Sequence, residues 1–251
     1  MIGRLTALLR RELWSYFFTP LAWVVLTLFL LVQGYGFYLY VELINRPDAP
    51  HGQVMQYFFG GTFLYWLFLI FIVSAITMRL IAEERRLGTV EPLMTAPVSA
   101  GEVVVAKYLA AVLFYGFLWL PTLAYVAVLA GLLPESTVLD WGPIAAGYLG
   151  TLAVGAAFIS VGLLASALCR SQIVAAMLCF VALSLLVLLG ALEPFVSRPG
   201  LRAVLAHVNL FQHMEDFARG IVDSRAVVLL LSVVVFCLVA AARALEARKW
   251  R

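Results

Sequence analysis

Apolar residues in this chain come in runs of about twenty, the length a helix needs to cross the roughly 30 Å hydrocarbon core of a bilayer. Six such segments are read, at residues 21–41, 57–78, 103–130, 142–168, 173–192 and 226–242. Composition agrees: 64% of the 251 residues are hydrophobic and 12% are charged, where soluble chains carry about 25% charge. The expected fold class is an all-α polytopic membrane protein, a single transmembrane domain over 1–251 with six transmembrane helices. The formal charge of +3 is small and scattered, so no basic face for nucleic acid forms. Cys169, Cys179 and Cys237 lie in or beside apolar segments without a C-x-x-C pair, which argues against a disulfide framework or a zinc knuckle. The first segment is too long for a cleaved signal peptide, and no small-residue cleavage site follows it.

Orientation follows from Lys and Arg. With the N-terminus cytoplasmic, twelve of the seventeen fall inside, among them Arg4, Arg10, Arg11, Arg79, Arg85 and Arg86. Five, Arg46, Arg198, Arg202, Arg219 and Arg225, fall outside. The bias predicts both termini on the cytoplasmic side.

Three stretches outside the spans carry pattern. Residues 4–18 read as an amphipathic helix, with Leu5, Leu9, Leu13 and Tyr16 on one side and Arg4, Arg10, Arg11 and Ser15 on the other. Such a helix lies along the inner membrane surface, with Trp14 and Tyr16 in the headgroup layer. Residues 79–102 form the longest and most charged inner connection. Residues 193–225 form an outer loop of one or two short helices that dip back toward the membrane. Any non-helical backbone there must be buried in protein or face water.

The chemistry missing from the sequence narrows the function. No Gly-rich loop ends in Lys-Ser or Lys-Thr, so this chain has no phosphate cradle of that kind for ATP. The spans contain almost no ionisable groups, which weakens secondary transport. Gln33 is the nearest candidate and reads as a helix–helix hydrogen bond. Ser160, Ser166 and Ser184 lie in spans, but His51, His207 and His213 all map outside, so an intramembrane hydrolase lacks its base. His207, His213, Glu215 and Asp216 fit no standard zinc spacing, and no metal site is expected. The small residues from Gly147 to Ser166 read as helix packing.

The inner connection holds more. Glu83, Glu84, Arg85 and Arg86 precede Gly88 and Thr89, and Leu87, Val90, Leu93 and Met94 recur at helical spacing. Ser99, with Glu102 three residues on, is placed to cap the third span. This pattern suits either a docking element for another protein or a solvated loop. Gly88 serves either a turn or a close approach.

The stretch EERRLGTVEPLMTAPVSAGEVVVAKYLAA resembles ABC-2 type permeases, the membrane subunits of ATP-binding-cassette exporters. RRELWSYFFTPLAWVVLTLFLLVQGYGFY is similar to the start of the GldF-like and NosY-like branch, and NLFQHMEDFARGIVDSRAVVLLLSVVVF with LEARKW is similar to the end of the GldF branch. The resemblance implies a permease subunit in a bacterial cytoplasmic membrane, paired with a second permease as a homodimer and seated on two ABC ATPase subunits. This chain would bind no cofactor; ATP and Mg would be used by the partner ATPase. The ATPase-coupling residues implied are Glu83, Glu84, Arg85, Arg86, Leu87, Gly88, Thr89, Val90, Glu91 and Leu93. The interfacial helix contributes Arg4, Arg10, Arg11, Glu12 and Trp14, and the outer element Glu215, Arg219, Gly220 and Asp223. Pro92 departs from the expected pattern and points to two short turns in place of one straight coupling helix.

A scaffold of the same fold is the second reading. It would pass conformational change to an extracytoplasmic or membrane-anchored accessory protein without moving a substrate. A secondary transporter and an intramembrane hydrolase stand further back. The almost wholly apolar spans favour a lipid-like or amphipathic cargo, or none, and copper is a poor fit because Met177, Cys179 and Cys237 make no ligand ladder.

Overall fold

Polar residues at the ends of the apolar runs set the helix boundaries, and a computed structural model describes the result for residues 2–44, 58–88, 99–132 and 140–247. The chain runs through α1 (Ile2–Phe17), α2 (Pro20–Ile44), α3 (Phe63–Thr77), α4 (Ala82–Arg86), α5 (Ala100–Trp119), α6 (Leu123–Leu132) and α7 (Trp141–Leu168). It continues through α8 (Gln172–Ala191), α9 (Pro199–Val208), α10 (Leu210–Ala218) and α11 (Ser224–Glu246). All regular structure among the described residues is helical, as the apolar periodicity predicts. The caps carry the chemistry expected of them. Ser99 and Glu102 form the reciprocal capping box of α5, with Glu102 N–H donating to Ser99 Oγ at 3.2 Å and Ser99 N–H to Glu102 Oε2 at 2.8 Å. Asp140 caps α7, Asn209 caps α10 and Asp223 caps α11.

Five stretches are long and apolar enough to cross a membrane: α2, the α5–α6 rod, α7, α8 and α11. Two expected spans look different from the pattern. Within the described part of the segment read as 57–78, Phe58 is helical, the backbone turns at Phe59 and Gly60, and the next helix runs over Phe63–Thr77. Gly60 adopts φ +86, Trp66 Nε1 donates to its carbonyl at 2.9 Å, and Thr62 then caps the new helix. Fifteen residues give about 22 Å at 1.5 Å per residue, short of the bilayer core. The flanking turn at Phe59 and Gly60 is buried in protein, where non-helical backbone at membrane depth is tolerated. The segment read as 103–130 is interrupted at Pro121. A 3-10 turn over Leu120–Thr122 joins α5 to α6 there, because proline removes an amide donor and clashes with the preceding turn.

Helix α7 is the centre of the bundle, packing against α3, α5, α8, α10 and α11. Its small residues are seats for large ones. Gly147 receives the Phe59 ring, Gly150 the Phe217 ring, Gly155 the Tyr115 ring and Gly162 the Thr77 side chain. Trp66, Tyr115, Phe158 and Phe217 are among the largest fully buried side chains. Large apolar residues on the outward faces of α2, α8 and α11, such as Leu31, Val181, Leu185 and Phe236, remain exposed, as lipid-facing positions require.

Candidate functional site

One end of the bundle gathers α1, α4, the first turns of α5 and the last turn of α7. Helix α1 docks there through aromatic side chains. Tyr16 is buried, stacks on Phe114 at 4.8 Å between centroids and donates its hydroxyl to the Ile76 carbonyl at 3.2 Å. The Arg79 guanidinium lies 5.6 Å from the Tyr16 ring centroid and donates to Thr19 Oγ1 at 2.9 Å. Burial pushes the Tyr16 phenol well above its ordinary range, and Arg79 only partly offsets this, so Tyr16 stays a neutral donor. The sequence pattern put Tyr16 in the headgroup layer beside Trp14. Trp14 is exposed and stacked on Phe18, but the Tyr16 ring turns inward because α5 offers Phe114 as a partner.

Helix α4 begins at Ile81 without a cap from its own neighbourhood. Its orphan amides are met from α7: Ser166 Oγ accepts from Ile81 N–H and Ala82 N–H, both at 3.0 Å, and donates to the Met78 carbonyl at 3.3 Å. A serine in a span thus has a structural task. Arg85 adds a bond to the Cys169 carbonyl at 3.2 Å. The helix stops at Gly88, which adopts φ +71 with nothing within 4 Å of where a Cβ would stand. Gly88 therefore takes a turn conformation, with open space beside it among the described residues.

The three elements meet at Lys107, in the second turn of α5. Its amino group donates to Glu12 of α1 at 3.0 Å and lies 2.9 Å from Glu84 of α4. Arg11 adds a longer contact to Glu84 at 3.7 Å. The Lys107 side chain is 4% exposed, and both carboxylate side chains are 14% exposed. Among the described residues it is the one lysine or arginine that is fully buried. Lys107 lies inside the segment expected to span at 103–130. The usable signal was a lone cation inside the apolar run VVVAKYLAA, since a charge in such a setting persists only with partners.

Of the expected coupling residues, Glu84 and Arg85 face inward to these contacts, Glu83 is half-buried, and Arg86, Leu87 and Gly88 are exposed. Thr89, Val90, Glu91, Pro92 and Leu93 lie outside the described residues. On α1, Arg10 and Arg11 are exposed and Glu12 is drawn inward; the side chain of Arg4 lies outside the described set.

At the opposite end, α9 has no buried residue, whereas α10 buries Leu210, Met214 and Phe217. Glu215 pairs with Arg219, Gly220 turns with φ +85 against Pro143, and Asp223 accepts from Arg225 N–H at 2.8 Å to start α11. His213 Nε2 bonds to the His207 carbonyl at 3.0 Å, and no group of potential metal ligands forms among the described residues. Gln33 is half-buried on a cleft between α2 and α3, with Thr62, Tyr65 and Trp119.

These features define a polytopic helical membrane protein with one end built around an interfacial helix and a short charged helix. Residues 13–192, from the middle of α1 to the end of α8, match the model of the ABC-2 family transporter proteins, and the chain belongs to that family. It is a membrane permease of an ABC transporter. No curated protein matches the chain.

Proposed function

We propose that the chain is the permease subunit of an ABC exporter of the GldF-like branch, working as a homodimer on two separate ATPase subunits that use ATP and Mg. In this reading α3 is a sixth crossing, so both termini lie on one side, and the Lys and Arg bias makes that side, with the α1–α4 end, the cytoplasmic face of a bacterial plasma membrane. The family match across residues 13–192 carries this reading, because it includes the whole charged connection between α3 and α5. The exposed Arg86 and Leu87 at the end of α4 support docking at that point. An apolar anchor beside a charge suits a helix received in a groove. Glu83, Thr89, Val90, Glu91 and Leu93 complete the proposed docking stretch. Glu84 has an internal partner and serves that surface from behind.

The test is co-purification. A C-terminally tagged chain, gently extracted from native membranes, is expected to bring down a soluble ATPase. Arg86→Glu with Leu87→Asp is expected to lose it while the permease still folds. A wild-type chain that purifies alone would remove the docking assignment. The uncovered helix α9, which presents Leu201 and Val204, favours the scaffold as second reading. Transport into vesicles by the purified complex separates the two.

A further inference from the structure

We propose that Lys107 is a positioning residue: it pins the interfacial helix α1 to α4 and α5, so that the three move as one lever.

The geometry carries this in three ways. First, Lys107 holds one carboxylate from each neighbour, Glu12 of α1 at 3.0 Å and Glu84 of α4 at 2.9 Å. One ammonium with three donors can serve both acids at once. Second, α1 presents a base and an acid at adjacent positions. Glu12 meets Lys107 while Arg11 meets Glu84 at 3.7 Å, so the pairing sets how α1 is rotated about its axis as well as where it lies. Third, the ammonium is nearly sealed from solvent. A buried charge with its partner removed is strongly destabilised, so pulling α1 away from α4 would strand charges rather than return them smoothly to water. Two neutral anchors accompany the pin: Ser166 ties the start of α4 to α7, and Tyr16 ties α1 to the Ile76 carbonyl at the end of α3. The element that would meet an ATPase is thus not α4 alone.

The pin stands on the structure. Its consequence for coupling rests on the proposed function, and two readouts keep the two apart. The first is hydrogen exchange of the full chain in lipid nanodiscs. In Lys107→Met, amides of α1 are expected to exchange at least tenfold faster, with α7, α8 and α11 unchanged. Unchanged α1 protection overturns the pin. The neutral triple variant Lys107→Met, Glu12→Gln, Glu84→Gln removes the stranded charges. It is expected to stay at least threefold faster than wild type in α1, and wild-type protection in this variant would show that apolar packing alone positions α1. If Lys107→Met fails to insert, Glu12→Gln cuts only the α1 half of the pin. There a threefold increase confined to α1 supports the proposal, and no change overturns it.

The second readout is stimulation of the co-purified ATPase. Lys107→Met is expected to keep the ATPase bound but lower its stimulation at least fivefold. Full stimulation would overturn the lever. If wild type binds no ATPase, the proposed function fails, while the exchange result still decides the pin.

Discussion

Ser166 shows what a single hydroxyl does when it belongs to a distant part of the chain. It accepts from two amides at the start of α4 and donates to a carbonyl just before them. Ser166→Ala should leave those amides unsatisfied at a buried site, a loss of about 1–3 kcal/mol. The readout is thermal unfolding in detergent, with faster exchange confined to residues 81–87; an unchanged midpoint would mean the amides have other partners. The α7 glycines make a sharper test of packing. A methyl at Gly155 would run into the Tyr115 ring, and one at Gly162 into Thr77. Overpacking of this kind costs roughly 1–3 kcal/mol. Gly116 on α5 is the control: a methyl there meets Leu152 at 3.9 Å, ordinary contact. Gly116→Ala should be neutral, or stabilising by up to about 1 kcal/mol through helix propensity. Equal effects at all three positions would show that the α7 glycines are not seats.

At the scale of elements, much of the fold was legible because bilayer thickness imposes a length on apolar runs, which is why α7, α8 and α11 begin and end within a few residues of the expected bounds. The capping box at Ser99 was legible because it is local in sequence. The break at Gly60 was not, because Phe-Phe-Gly-Gly-Thr-Phe keeps hydropathy high while the backbone turns. That turn is fixed by Trp66 and by Met214 from a helix far along the chain. The cap on α4 and the partners of Lys107 are tertiary for the same reason: no spacing rule links position 81 to 166, or 107 to 12. The end of α4 yields a prediction at this scale. Gly88 is left-handed but has open space around it, so Gly88→Ala meets no clash and only a backbone penalty of about 1–2 kcal/mol. Exchange around residues 85–88 should rise while the bundle midpoint holds. A fall in the whole-bundle midpoint would mean that α4 is part of the cooperative core. A charge reversal at Glu84, by contrast, would place a third cation beside Lys107 and Arg11 and disturb the interior first.

For the molecule as a whole, the question is which end faces the cytoplasm, because an ATPase can meet only one of them. The end carrying α1 and α4 holds Arg10, Arg11, Arg79, Arg85, Arg86 and Lys107, whereas the opposite end holds Arg198, Arg202, Arg219 and Arg225, near Glu193 and Glu215. Lys and Arg near the ends of spans resist translocation, so the richer end should stay inside. Cysteine labelling decides this. Cys169, Cys179 and Cys237 are replaced first, and single cysteines are placed at Arg86 and at Arg202, both exposed. A membrane-impermeant maleimide on intact cells should label the cysteine at 202 and spare the one at 86 until the membrane is opened. The same pattern bears on α3, which is short for a span. If α3 crosses the bilayer, the ends before Phe63 and after Thr77 lie on opposite sides, and α1 and α4 share a side only because α2 and α3 form a pair of crossings. Because α1 and α4 meet directly at Lys107, labelling of position 86 from outside would mean the whole bundle is inverted. It would also place the Lys107 cluster away from ATP and remove the docking end from the proposed mechanism.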